Sequence, residues 1–190
     1  MSNKVFTVPK RRKREGKTDY RFRMRIIRIG QLRLVIRRSL KNIWGQIVEF
    51  HPDGDRVLFS AHSRELLKFG WKLNKSNTCA AYLTGLLLAK KIKKELKCAV
   101  DIGFNVSVKG SCIYAFVQGV VDGGLLVNCD KKVVPSVERL RGEHIVAFAK
   151  LLKSDKSEFE RQFGGYLKNG LDPEKVPVYF EEVKKKISGL

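Results

Sequence analysis

The residues best suited to chemistry in this chain are its arginines and lysines. Lys10, Arg11, Arg12, Lys13 and Arg14 stand in one run, and Lys17, Arg21, Arg23, Arg25 and Arg28 follow at short intervals. Each guanidinium presents a planar fork of donors that matches a phosphate, so such a series suits a polyanion. Thr18 or Asp19 can cap a helix starting near Tyr20. Helical spacing predicts Tyr20, Met24 and Ile27 on one face, flanked by Phe22 and Ile26, with Arg21, Arg25 and Arg28 as a ladder on the other. Val8-Pro9 before the block and Gly16 inside it mark the first fifteen or so residues as an arm.

Other groupings are weaker. Gly16-Lys17-Thr18 copies the tail of a phosphate-binding loop, but the motif's first glycine falls at Arg11 and no apolar strand precedes it, so nucleotide hydrolysis is not expected. Asp101, Asp122 and Asp130 lie at the ends of elements, and a two-metal nuclease could use such carboxylates; their spacing gives no sign of convergence. Ser60-Ala61-His62-Ser63 is suggestive only by adjacency, which does not make a triad. His62 is better read as hydrogen-bonding or RNA-facing. Cys79, Cys98, Cys112 and Cys129 lie 19, 14 and 17 residues apart with no C-x-x-C pair. Buried reduced thiols are expected, with no zinc site or disulfide framework. No catalytic residue, metal, cofactor or small-molecule substrate is expected.

The whole-chain charge points the same way. Among 190 residues, 39 Lys+Arg stand against 19 Asp+Glu, a net charge of +20. Residues 1–41 carry +13 of it. Such a chain repels itself unless a polyanion neutralises it, so nucleic acid or an anionic membrane is the expected partner class. The basic N-terminus is not followed by an apolar stretch, so no secretory signal is expected. The longest mostly apolar run, Cys79 to Ala89, is eleven residues, too short to cross about 30 Å of hydrocarbon.

The elements that must position these charges read as an α/β fold. Leu32, Leu34 and Ile36 alternate with Arg33, Val35 and Arg37, a second strand runs from Ile43 to Phe50, and a third covers Val57 to Ala61. His51-Pro52-Asp53-Gly54-Asp55 is turn chemistry between the last two, so an antiparallel meander is expected. It carries Arg33, Arg37 and Arg38, with Lys41 beyond. Ser63 to Phe69 is one or two helical turns. Asn77 caps a long helix to Leu96, with Lys90, Lys91, Lys93 and Lys94 near its end. Cys98 to Phe104 is a strand, and Ile113, Phe116, Val117, Val120 and Val121 mark a core helix ending at Gly123-Gly124. Leu125 to Val127 is a short edge strand. Glu138 to Lys153, Lys156 to Lys168 and Pro173 to Ile187 read as tail helices, with Phe159, Phe163 and Tyr166 packing onto the core.

Several segments together are specific. The run Arg11 to Tyr20 resembles the N-terminal arm of the archaeal and eukaryotic 5S-rRNA-binding protein family of the large ribosomal subunit. So do Ser60 to Leu66, Phe69-Gly70-Trp71-Lys72, Asn77-Thr78 with Ala81 to Leu86, Asp101-Ile102-Gly103, Lys109-Gly110-Ser111, Gly119 to Gly124, Arg141 to Ile145 and Phe163 to Asn169. The resemblance runs from about residue 5 to 187 and is of the archaeal type. Two positions depart from it: Cys79 stands where a proline is usual, and Arg21 where a second tyrosine is usual.

The resemblance implies a mixed-sheet core related to the ribonuclease-H-like arrangement, without nuclease activity. It implies binding of 5S rRNA and its attachment to large-subunit rRNA and neighbouring proteins in the central protuberance, in the cytoplasm, with no membrane role. A ribosome assembly factor is the alternative. Three regions are expected: a basic RNA-binding arm (1–29), an α/β core (30–135) and a helical C-terminal extension (136–190). To the arm and sheet cations named above the expected RNA contacts add Thr18, Tyr20, His62, Arg64, Trp71, Lys72, Asn77 and Thr78. Tyr20 and Trp71 are the stacking candidates, with a core position the alternative for Trp71.

Overall fold

The computed structural model describes residues 7–92 and 94–190. A five-stranded mixed sheet organises the chain: β1 (Leu32–Arg38), β2 (Ile43–Glu49), β3 (Arg56–His62), β4 (Lys97–Asp101) and β5 (Leu126–Val127), in spatial order β3-β2-β1-β4-β5. β1 pairs antiparallel with β2, and β2 with β3, while β4 runs parallel to β1 and to β5. A register shift between Ile47 and Val48 bulges the outer hairpin.

Alternation along the strands divides the sheet into two faces. Leu34, Ile36, Ile43, Ile47 and Ala61 are buried beneath helices, while Arg33, Val35, Arg37, Trp44, Gln46 and His62 occupy the other side. Gly45 belongs to the buried face because the Phe116 ring occupies the place its Cβ would take.

α3 (Thr78–Lys91) is buried from Thr78 through Ala89, as expected of a helix apolar on all sides. α4 (Cys112–Asp122) lies against it at backbone distance. A Cβ on Gly85 would collide with the Phe116 carbonyl, and one on Gly119 with that of Tyr82. Asn77 caps α3, its Oδ1 accepting from Ala80 N at 2.9 Å, so the helix starts as expected with Cys79 in place of proline. It stops five residues short of Leu96: Ile92 is extended, which frees the chain to enter β4. Lys94 therefore lies beyond the helix, and Lys93 lies outside the described residues.

The tail contains α5 (Val137–Arg141), α6 (Glu143–Leu152), α7 (Lys156–Lys168) and α8 (Val176–Ser188). The single helix expected from Glu138 to Lys153 is broken at Gly142, whose φ of +92° is left-handed. Val176, Phe180, Val183 and Ile187 of α8 join the same core as α3. Phe163 is buried, touching Phe159 with ring centroids 5.2 Å apart and Tyr166 at 5.7 Å.

At the N-terminal end, residues 7–17 are exposed and include the short α1 (Arg11–Arg14). α2 (Tyr20–Ile29) follows, capped by Asp19, whose Oδ1 accepts from Arg21 N and Phe22 N at 3.0 and 3.1 Å. Its inward face differs from the expected one. Ile26 is buried with Phe22, Arg23 and Ile27 beside it, whereas Met24 is exposed. An arginine among the inward residues is what the spacing of apolar side chains could not show. The first six residues of the expected arm lie outside the described residues.

Candidate nucleic-acid interface

The inward turn of Arg23 begins a chain of alternating charges. Arg23 Nη2 donates to Asp55 Oδ1 at 2.8 Å, and the other Asp55 oxygen accepts from Arg33. Arg33 Nη1 stands 3.5 Å from Asp101 Oδ2, and Arg37 Nη2 donates to Asp101 Oδ1 at 3.0 Å. Arg37 Nη1 also donates to the Asp101 carbonyl at 2.7 Å. The series joins α2, the β2–β3 hairpin, β1 and the end of β4. Arg33 and Asp101 are each only 6% exposed, a depth at which charges persist only when paired. Arg33 was expected to reach RNA from the sheet; the structure corrects this, because its guanidinium is held inside the ion-pair chain. Arg37 is partly engaged the same way and half-buried.

This chain leaves the rest of the arm's cations outward. Arg21, Arg25 and Arg28 are exposed on one side of α2 and, among the described residues, form no ion pair. Lys10, Lys13 and Arg14 are exposed too, as are Arg38, Lys41 and Arg64. Glu15 takes Arg11 and Lys17 at 3.5 and 2.8 Å, both exposed pairs that salt and solvent weaken. Arg12 Nε donates to Thr18 Oγ1 at 2.9 Å, folding the arm's end back on the start of α2. Lys10 Nζ stands 4.8 Å from the Tyr20 ring centroid, so one face of the expected stacking residue is covered by a cation.

Arm and sheet enclose a polar cleft of about 330 Å³, bounded by Arg12, Lys17, Thr18, Arg23, Arg33 and Arg37 together with Asp19, Asp55 and Asp101. Beside it Arg12, Gly16, Lys17 and Arg37 border a groove with Phe104 and Asn105. Phe104 is 53% exposed, an aromatic in cationic surroundings that sequence reasoning assigned to a strand end. Gly103 lets the loop approach: its φ is +64°, and a Cβ there would sit 3.0 Å from Arg37 Cζ.

The remaining expected contacts lie elsewhere. Trp71 is fully buried (0% exposed) and its Nε1 donates to the Asn74 carbonyl at 3.0 Å, so the core alternative holds and it cannot stack on a base. Thr78 is buried in the first turn of α3, and Asn77 is engaged as its cap. Lys72 is exposed on a separate cleft bordered by Tyr166 and Asn169. His62 Nδ1 accepts from Arg64 N at 3.0 Å, while Glu65 Oε1 accepts from His62 N at 3.0 Å. Burial, and then the charge of Arg64, lower the His62 pKa, so its ring is neutral at pH 7 with the proton on Nε2.

The three aspartates of the nuclease alternative each have a structural partner within the protein. Asp101 is occupied by two arginines and by Gly103 N, and Asp122 by the Tyr82 hydroxyl and Gln118 at 2.7 Å each. Asp130 caps the turn at Lys132. Ser63 Oγ accepts from Ile43 N at 3.2 Å and is buried, a structural role. Burial pushes the Cys79 thiol up to about 12 and the Cys98 thiol up to about 11, so neither is a nucleophile.

An α/β protein that ties selected arginines to its own sheet and turns the others outward belongs to the class that presents a cationic surface. Residues 4–97 match the family described as ribosomal large subunit proteins 60S L5 and 50S L18. The chain is 48% identical over 185 residues to the large ribosomal subunit protein uL18 of Desulfurococcus amylolyticus, covering 96% of this chain and 94% of that one. It is 45% identical over 190 residues to the uL18 of Methanococcus maripaludis, covering 99% and 98%. The chain belongs to this family of large-subunit ribosomal proteins.

Proposed function

We propose that the chain, as a structural constituent of the large ribosomal subunit, binds 5S rRNA through the exposed face of α2 and the arm before it and helps attach that RNA to large-subunit rRNA. The observation that carries this reading is the division of arginines along α2. Arg23 points in and is neutralised by Asp55, while Arg21, Arg25 and Arg28 point out with no acidic partner among the described residues. An outward ladder on an anchored helix positions cations against phosphates without reading sequence. Selectivity then comes from RNA shape, 2′-hydroxyls and unpaired bases. Arg38, Lys41 and Arg64 offer further cations at the end of the strands away from the β2–β3 turn, and Lys72 a separate one.

The finer fold assignment, kinship with the ribonuclease-H-like arrangement, is supported by the strand order β3-β2-β1-β4-β5 with β2 alone antiparallel to β1. The division into an arm (1–29), a core (30–135) and an extension (136–190) describes roles: α8 shares the core's interior, so the extension docks instead of folding apart.

The test is a gel-shift titration of purified 5S rRNA across a salt series. With about eight phosphates contacted, log affinity against log salt falls with a slope near about −6 to −7. Replacing Arg21, Arg25 and Arg28 together by Gln makes the slope less negative by about 2 to 3. A flat salt response, or an unchanged slope in the triple variant, overturns the reading. Absence of the chain from purified mature subunits would favour an assembly factor.

A further inference from the structure

On the face of the sheet away from α3 and α4, one cross-strand row holds three planar groups. Arg37 of β1 pairs with Trp44 of β2, and Trp44 pairs with His62 of β3. The indole and imidazole are nearly parallel, 9° between planes, with centroids 5.9 Å apart, an offset arrangement. Both rings are half-buried, so part of each meets solvent. Trp44 Nε1 makes no hydrogen bond among the described residues and is not one of the buried unpartnered polar atoms, so it remains open to a partner.

Two constraints hold this step rigid. His62 is fixed by the backbone of Arg64 at its Nδ1 and by the side chain of Glu65 at its own N–H. Arg37 is fixed by Asp101, and it also borders the groove that contains Phe104, Arg12 and Lys17. The cations of Arg64 and Lys75 act on the His62 ring against the carboxylate of Glu65, which is itself paired with Lys91. An uncharged pair of rings beside cations, joined to the arm's groove through Arg37, suits a flat base whose phosphates are drawn by the neighbouring arginines. A protein partner would need acidic side chains together with an apolar wedge; a single nucleotide supplies both the ring and the negative charge.

We propose that Trp44 and His62 form a stacking step that receives one unpaired base of 5S rRNA, beside the phosphate track set by the arm. This rests on the proposed rRNA binding and adds to it a contact that is independent of charge. Trp44 Nε1–H and His62 Nε2–H are the two donors left to meet the nucleotide's edge or 2′-hydroxyl.

The chain contains two tryptophans, and Trp71 is wholly buried, so fluorescence isolates the step. Titrating the full chain with 5S rRNA should quench tryptophan emission, and the quenching should vanish in Trp44→Phe, which leaves Trp71 as reporter. Trp44→Leu should bind about 5- to 150-fold more weakly, the range for loss of one base–aromatic stack, with an unchanged salt slope. Trp44→Phe should retain most of the affinity. Quenching that persists in Trp44→Phe, or wild-type affinity in Trp44→Leu, overturns the stacking step. If binding remains steeply salt-dependent and sensitive to the triple arginine substitution, the arm's role stands without it; if those effects are also missing, both readings fall.

Discussion

Arg37 and Asp101 meet twice, side chain to side chain at 3.0 Å and through the Asp101 carbonyl at 2.7 Å. The two residues stand on neighbouring parallel strands at the point where β4 leaves the sheet. Asp101 also faces buried Arg33, which reaches Asp55 and through it Arg23 of α2. A carboxylate deep in the sheet therefore anchors the helix that carries the outward arginines. The same acid keeps Arg33 and Arg37 from repelling each other in a chain of net charge +20.

Asp101→Asn leaves Arg33 and Arg37 without their shared counter-charge. Removing one partner of a buried ionic group costs about 3 kcal/mol, the lower end of the usual range because Asp55 still faces Arg33. Urea denaturation should show this as a lower midpoint with an unchanged slope. A midpoint within error of the parent would mean that the pair is not what holds this edge of the sheet.

Gly119→Ala puts a methyl group against the Tyr82 carbonyl where α3 and α4 touch. Neither helix can move without disturbing the core, so the substitution should cost about 3 kcal/mol, at the upper end for overpacking. Gly164→Ala has nothing near its added methyl and serves as the control, since alanine favours the helix there. Thermal melts of the two variants should move in opposite directions.

Raising the pH should destabilise the fold above about pH 9. Burial raises the Cys79 thiol to about 12 and Cys98 to about 11, from an ordinary value of 9.0. A folded-state pKa above the unfolded one means that this stability is complete below pH 9 and is lost as pH rises through 11 and 12. Each thiol steepens the decline by up to about 1.4 kcal/mol per pH unit. Chemical denaturation at pH 8, 9.5 and 10.5 should show a shallower decline for Cys98→Ala than for the parent; parallel curves would remove the thiols as the cause.

Asn77→Ala removes the cap on Ala80 N and should cost about 1 kcal/mol of stability. Its affinity for 5S rRNA under conditions where the chain remains folded should match the parent, because its side-chain oxygen is committed to α3 and its amide nitrogen is buried. A loss of affinity without loss of stability would restore Asn77 to the RNA surface.

The arginine ladder was legible in the sequence because it depends on residues three and four apart, and helical geometry places those on one face whatever surrounds them. The Asn77 cap and the helix over Cys112–Asp122 were legible for the same reason, and the strands from alternation at a spacing of two. For Trp71 the sequence left stacking and a core position both open. The inward turn of Arg23 and the burial of Arg33 were not legible. They depend on partners far along the chain: Arg33 meets Asp55 22 residues on and Asp101 68 residues on. Composition and spacing settled that the chain carries a concentrated positive charge and which short segments bear it. Only tertiary structure decided which cations are neutralised from within and which remain outward, because that follows from where folding removes water and brings a distant carboxylate within reach.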